Sequence, residues 1–431
     1  MSPNGLPALL QPRLSFYYGW LILACVCCAG FARQGPAVAT LSIFVEPMTS
    51  EFGWSRTGLS AAVSLGGVLA ALTSPILGPM LDRHGARVML CVAVLLTGVC
   101  TMVLSMTQSL AFFIVFFCIA RMNFAGPFEL GIYGAINNWF LRLRGLATSI
   151  STIALMAGLI AMPLIAQMAI VYDGWRAGWI AVGAVVLLIG FIPNWLFMVR
   201  RPEDLGLVPD GAVLPAADHS SSDAEARQLE PAFTRAQALR TPAFWLLSLY
   251  TVLVFPVQAG VSLHQAPHLI ERGIAATDAA FMVSAFSLAS AVSGFSSGLL
   301  VRWVTVRLTL ATSAIGLAAG AWWMIAVASD ADGYISATLF GLGIGGVLTV
   351  LPLAWADYFG RQSFGAIRGL ALSIQVLAQA SGPMIAGILR DATSDYSLSL
   401  WVFTALAGVA AIIALLSAPP RISTESAASP V

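Results

Sequence analysis

The ten residues GPMLDRHGAR, Gly78–Arg87, decide the fold, because a degraded copy, GLLVRWVTVR, begins 220 residues later at Gly298. A second pair repeats the spacing: RGLATSI begins at Arg144 and RGLALSI at Arg368, an offset of 224. Each member of the first pair follows the second apolar segment of its half, and each member of the second pair opens the fifth. Two offsets that agree within four residues argue for a duplicated unit of six segments.

Composition says what those segments are. The chain has 431 residues, 58% hydrophobic and 10% charged, with mean hydropathy +0.86, where a soluble domain carries about 25% charged residues. A membrane span needs roughly 20 mostly apolar residues. About twelve segments meet that need, centred near residues 32, 68, 97, 122, 157, 187, 256, 289, 317, 345, 377 and 407. The expectation is an all-α membrane protein of twelve transmembrane helices in two pseudo-symmetric six-helix bundles. The first apolar segment is too long for a signal peptide, has no small-residue cleavage site and leads into further spans.

All 21 basic residues are arginine. With the N-terminus inside, fifteen fall in inner loops, among them Arg83, Arg87, Arg142, Arg144, Arg200, Arg201, Arg361 and Arg368. Only Arg56, Arg176, Arg272 and Arg390 fall outside. The positive-inside rule then puts both termini in the cytoplasm, and the cell inner membrane is the expected location.

The longest polar interval, residues 200–242, is rich in Pro, Asp, Ser and Ala and reads as a cytoplasmic linker, with one short amphipathic helix near TRAQALR (234–240). It separates an N-terminal bundle, residues 1–199, from a C-terminal bundle, 243–418, and residues 419–431 read as a disordered cytoplasmic tail. The six cysteines, Cys25, Cys27, Cys28, Cys91, Cys100 and Cys118, fall inside spans, where cysteine is a small hydrophobe. No metal or other cofactor is expected. A net charge of +1 says nothing about nucleic acid, and no concentrated basic patch suggests it, so no nucleic-acid partner is expected. Without an HExxH, a Gly-x-Ser-x-Gly or a nucleotide loop, the chain is expected not to be an enzyme.

Gly78-x-x-x-Asp82-Arg83-x-Gly85-x-Arg87, lying between two spans, resembles the loop motif of the major facilitator superfamily. The second-half copy keeps Gly298 and Arg307 but has Arg302 where the motif has its acidic residue. YYGW at Tyr17–Trp20, WFLRLRGLA at Trp139–Ala147, GWR at Gly174–Arg176, RRPEDLGLVPDG at Arg200–Gly211 and DYFGRQSFGAIRGL at Asp357–Leu370 resemble the monocarboxylate and oxalate–formate porter-like bacterial branch. The resemblance spans essentially the whole chain. It implies a secondary transporter with alternating access, its first, fourth, seventh and tenth helices lining a central cavity. It also implies that Asp82, Arg83, Arg87 and Arg144, at the cytoplasmic ends of helices, hold the outward-facing state through charge pairs and helix dipoles. One departure stands out: the eighth span, AAFMVSAFSLASAVSGFSSGLL, has no ionisable residue, and the eleventh has no lysine. Any cationic groups for an anion must lie elsewhere.

The interior ionisable groups supply candidates. Arg33 lies about 14 residues into the first span and Arg121 about 11 into the fourth, both near mid-depth at 1.5 Å per residue. A charge there is costly, by roughly 2.5–3.5 kcal/mol on insertion scales. Pro36, Pro127, Pro256 and Pro352 interrupt the first, fourth, seventh and tenth spans, and freed carbonyls are tolerated only beside protein or a wet cavity. Gly35-Pro36 and Gly126-Pro127 are the strongest breaks, each beside a buried arginine. Arg33 reads as a substrate contact or an interhelix bridge. Arg121 reads as a substrate contact or a coupling and packing residue.

Glu129, the only interior carboxylate, reads as the proton carrier, as a partner of Arg121 placed roughly 12 Å away along the helix, or as an inner-gate residue. His264 is expected in the outer cavity, binding substrate or titrating near neutral pH. His268, one turn on, is expected at the interface, and no third ligand suggests a metal pair.

These residues point to a secondary active transporter moving a small organic anion, a carboxylate, together with a proton. Arg33, Arg121 and His264 would bind substrate, and Glu129 or His264 would carry the proton. The chain would work as a monomer in the lipid bilayer. The alternative within the same fold is an exporter of a larger amphipathic or toxic compound, favoured by aromatic-rich spans and by the eighth-span departure.

Overall fold

The computed structural model describes residues 6–54, 56–211 and 231–420; the calls on residues 212–230 and on the tail beyond residue 420 lie outside them. Among the described residues, nine helices are long and apolar enough to cross a membrane, and Gly19–Ala32 is a shorter apolar helix. Two of the nine are double. Arg56–Val103 reverses at Gly85, and Arg144–Val185 reverses at Asp173 and Gly174.

Numbered by span, α1 is two half-helices, Gly19–Ala32 and Val38–Phe52. Next come α2 (56–84) and α3 (86–103). The fourth span, α4, is again two halves, Leu110–Ala125 and Pro127–Trp139. Then follow α5 (144–172) and α6 (175–197), the latter carrying a π-helical turn at Val186–Phe191. The second bundle holds α7 (Pro242–Glu271), α8 (Ala276–Leu300), α9 (Val306–Ile325), α10 (Asp330–Phe359), α11 (Phe364–Thr393) and α12 (Ser397–Leu416). The fold is all-α, twelve spans in two six-helix bundles. The short helix expected in the linker is Arg235–Leu239, opened by a Thr234–Gln237 capping box.

The two double helices explain how consecutive spans turn without a loop. Gly85 has φ +83° and Gly174 φ +76°, backbone conformations that side-chain-bearing residues rarely reach. At Gly85 the turn also packs under the Arg200 side chain, whose guanidinium donates to the Asp82 carbonyl. Outside, the helices present Leu72, Ile76, Ile160, Met168, Leu288 and Ile388 as exposed apolar side chains, as a lipid-facing surface requires.

The bundles meet along two crossings related by the sequence repeat. In the first, α2 and α11 touch at Gly78 and Gly365; in the second, α5 and α8 touch at Gly145 and Gly298. A Cβ on any of these four would run into the partner helix. Small residues let the backbones approach where no hydrophobic force drives helices together. Ser373 Oγ donates to the Ala71 carbonyl at 2.5 Å and Ser149 Oγ to the Phe295 carbonyl at 3.1 Å, tying the same crossings nearer mid-depth. The molecule is thus shut on the side that carries the linker.

Gly85→Ala should destabilise the protein by about 1–3 kcal/mol, the range for a residue held in a glycine-only region. Gly387→Ala, in α11 with open space around its Cβ position, should be neutral or stabilising by up to about 1 kcal/mol. Thermal unfolding of the two purified variants beside the parent tests this. Equal shifts for both would contradict the role given to Gly85.

Candidate functional site

The site begins where two helices break. The α1 helix ends at Ala32 and resumes at Val38, which leaves Arg33 capping the first half at mid-span. Gln34 lies in the gap, and its carbonyl is satisfied by Thr40 Oγ1 at 2.9 Å. The α4 helix breaks at Gly126, φ −111° and ψ −86°, before Pro127. Across that break the Phe124 carbonyl accepts from Arg33 Nε at 2.9 Å. Arg33 Nη1 then reaches Glu129 Oε2 at 2.7 Å. The guanidinium carbons of Arg33 and Arg121 lie 4.6 and 4.2 Å from the centre of the Phe124 ring, a cation–π arrangement favoured when desolvated. Gly66 of α2 leaves the room that the Arg121 stem fills.

Glu129 has a second partner from the other bundle. Its Oε1 accepts from Arg368 Nη2 at 3.2 Å, and the same nitrogen donates to Gln375 Oε1 at 2.8 Å. Arg368 is 1% exposed and Glu129 8% exposed. Above them lies a cavity of about 410 Å³. Its walls hold Arg33, Arg121, Glu129, Tyr133 and Arg368, a Gln258–Gln379 pair at 3.0 Å, and apolar Leu155, Met156, Leu159, Phe255 and Leu351. Three guanidiniums face one carboxylate. Nε and Nη1 of both Arg121 and Arg368 are buried without a hydrogen-bond partner, and buried donors left unmade are costly.

Several expectations change here. Glu129 pairs with Arg33 and Arg368 and not with Arg121, because the Gly126 break spoils the continuous-helix geometry that related Glu129 to Arg121. Arg368, placed among loop arginines, is inside the molecule: α11 starts at Phe364, so residue 368 already lies a turn into the helix. The spacing of Arg368, Gln375 and Gln379, seven and four apart, is the signal that could have found it, a polar stripe on one face of an apolar helix. The cavity also draws on α5 and α11, beyond the four helices that the resemblance implied.

His264 stands apart from this cavity. Its Nδ1 meets the Tyr396 hydroxyl at 3.1 Å and its Nε2 the Pro383 carbonyl at 3.3 Å, in a small pocket within the second bundle. His268 is buried rather than interfacial, with Nε2 2.8 Å from the Met324 carbonyl. Among the described residues no group of His, Cys, Asp or Glu could hold a metal ion.

The four residues of the linker-side ends part company. The Asp82 carboxylate crosses to the other bundle and accepts from Gly365 N at 2.7 Å and Ala366 N at 2.8 Å, capping α11. Arg144 also crosses, to Asp357 at 2.6 Å. Arg87 does not: it donates to the Trp195 carbonyl at 2.7 Å and lies over the Trp195 ring, closing off α6 of its own bundle. Arg83 is exposed. Arg361, which the sequence reading left unassigned, bridges to Glu203 at 2.6 Å and to the Asn138 carbonyl at 3.2 Å.

Known proteins place this arrangement. The monocarboxylate transporter 11 of Mus musculus is 23% identical over 401 residues, covering 89% of this chain and 84% of that protein. The membrane sensor protein UhpC of Escherichia coli K12 is 24% identical over 381 residues, covering 84% and 83%. The transporter FucP in its outward conformation superposes with a TM-score of 0.71 at 12% identity, over 93% of this chain and 100% of that one. The proton:xylose symporter XylE, bound to 6-bromo-6-deoxy-D-glucose, superposes at 0.69 with 14% identity, over 92% and 94%. None of these similar proteins is an enzyme. The resemblance first read at Gly78–Arg87 extends to a match with the family model of the Major Facilitator Superfamily over residues 21–371, and the chain belongs to that family.

Proposed function

We propose that this transporter moves a small organic anion, a carboxylate, together with a proton, by alternating access of its two bundles around the Arg33–Arg121–Arg368 cavity. One observation carries the reading: three guanidiniums and one carboxylate line a cavity of about 410 Å³, the carboxylate pairs with Arg33 and Arg368 alone of the three, and Arg121 and Arg368 each keep buried donors without a partner. Buried charge is tolerated when it is paired, and an anionic solute completes the pairing. A cavity of about 410 Å³ would also admit the larger amphipathic compound of the alternative, so the choice between the two rests on the arginines.

The chemistry follows from the contacts. An arriving carboxylate meets Arg121 first, since this cavity-lining arginine has no carboxylate partner among the described residues. It competes with Glu129 for Arg368, the guanidinium that belongs to the other bundle. Displaced from Arg368, Glu129 takes up a proton, which removes a charge that would repel the substrate. Losing the Glu129–Arg368 tie leaves the linker side held by the Asp82 cap and the Arg144–Asp357 pair. These contacts exist in one state alone, so they set the balance between states by their differential energy. By the arginine asymmetry, the linker and both termini face the cytoplasm.

In proteoliposomes supplied with a panel of labelled small carboxylates, Arg121→Ala and Arg368→Ala should each lower uptake about 10- to 100-fold, the equivalent of one or two charge-assisted hydrogen bonds. Arg121→Lys should fall between, since it keeps the charge and loses the planar fork. Parent-like uptake by both alanine variants would overturn the anion reading.

Asp82→Asn should shift the protein toward the form open on the linker side, about tenfold in the state ratio for a loss of 1.4 kcal/mol. Single-molecule distances between labels on the linker-side ends of the two bundles read this ratio. Populations equal to those of the parent would leave Asp82 without a gating role.

A further inference from the structure

The Gln258–Gln379 pair lines the cavity, yet the anion and proton chemistry makes no use of it. Gln258 comes from α7 and Gln379 from α11, two helices of the second bundle. Their backbones close up just beyond the pair. A Cβ on Gly382 would strike the Pro256 carbonyl, and one on Gly260 would crowd the Gly382 carbonyl and the Phe403 ring. Close approach through small residues is how helices lock together in a membrane. The two amides are therefore mounted on a tight crossing and not held by their own bond alone.

That bond leaves half of each amide over. Gln379 Nε2 donates to Gln258 Oε1 at 3.0 Å, so Gln258 Nε2 and Gln379 Oε1 have no hydrogen-bond partner among the described residues. Neither atom is among the buried unsatisfied ones, and both side chains line the cavity. The pair thus offers the cavity one donor and one acceptor. Turning both amides over exchanges the two without changing the offer. No charge accompanies it.

The α11 helix sets the distance from the arginines. Arg368 Nη2 reaches Gln375 Oε1 at 2.8 Å, and Gln379 follows one turn later on the same face, about 6 Å along the axis. A carboxylate held by Arg121 and Arg368 therefore has a neutral polar station a few carbons further on. A plain alkyl end placed there would drive water from the free donor and acceptor without replacing its hydrogen bonds. A second carboxylate has only acceptors, so it would satisfy the donor and repel the acceptor. A hydroxyl donates and accepts through one atom and satisfies both. We propose that Gln258 and Gln379 form a second subsite, which takes a hydroxyl of the substrate while Arg121 and Arg368 take its carboxylate. The substrate class is then a hydroxy-monocarboxylate whose hydroxyl lies a few carbons from the acid group.

This subsite deepens the anion reading and rests on it, and calorimetric affinities on the purified full chain test the two separately. The probes are butyrate, 4-hydroxybutyrate and succinate, which share a chain length and differ at the far end. The parent should bind 4-hydroxybutyrate about three- to tenfold more tightly than butyrate, the net worth of one or two hydrogen bonds. Succinate should bind more weakly than 4-hydroxybutyrate. In Gln258→Leu/Gln379→Leu the preference for 4-hydroxybutyrate over butyrate should shrink to less than about twofold, since no polar partner remains for the hydroxyl. Equal affinities for butyrate and 4-hydroxybutyrate in the parent, tighter binding of succinate, or a preference that survives in the double variant would each overturn the proposal. The parent comparison needs no variant, so it decides even if the double leucine chain does not assemble. Arg121→Ala isolates the anion reading: it should weaken butyrate about tenfold or more and leave the preference for the hydroxy acid in place. Butyrate bound as tightly by Arg121→Ala as by the parent would overturn the anion reading, and no binding of any of the three acids to the parent would overturn both.

Discussion

Glu129 is held by Arg33 of its own bundle at 2.7 Å and by Arg368 of the other at 3.2 Å, and much of the molecule is arranged around that shared carboxylate. The break in α1 delivers Arg33, and the break in α4 turns Glu129 toward it. The early start of α11 delivers Arg368. Because one oxygen faces each bundle, the carboxylate is at once an ion-pair partner and a tie across the interface. In a membrane interior, where water cannot compensate, such a group is retained only if something requires it. An excess of two positive charges beside a cavity is what remains once its pairs are counted.

Closure on the linker side is built from repeat-related parts that have diverged. Glycines at Gly78, Gly145, Gly298 and Gly365 let both crossings form alike. The carboxylate contacts beside them are unlike: Asp82 crosses to the Gly365 and Ala366 amides of α11, whereas Asp210 holds the amides of residues 141–143, in the turn before α5, from within its own bundle.

Much of the fold was legible in the sequence, because hydropathy and repeated motifs depend on local composition. Twelve spans, the short linker helix and the breaks at Gly35-Pro36 and Gly126-Pro127 could all be read directly. The site was legible only in part. Arg33, Arg121 and Glu129 stood out because ionisable groups are rare in apolar sequence. Their pairing did not, since it depends on a helix break that rotates Glu129 away from Arg121. Arg368 was missed because it sits near a helix end, where an arginine reads as a loop charge. His264 was misplaced because its partners, the Tyr396 hydroxyl and the Pro383 carbonyl, lie more than a hundred residues further along the chain, where sequence alone does not bring them together with it.

The central claim is that Glu129 occupies, in the empty site, a guanidinium that the substrate anion needs, and gives it up by taking a proton. Affinity for a small transported carboxylate, measured against pH on the purified protein and on Glu129→Gln, tests this most directly. The parent should bind more tightly as pH falls, because the proton relieves the competition. Glu129→Gln should bind with the parent's low-pH affinity at every pH. If the variant kept the parent's pH dependence, the shared carboxylate would not be the group that couples proton to anion.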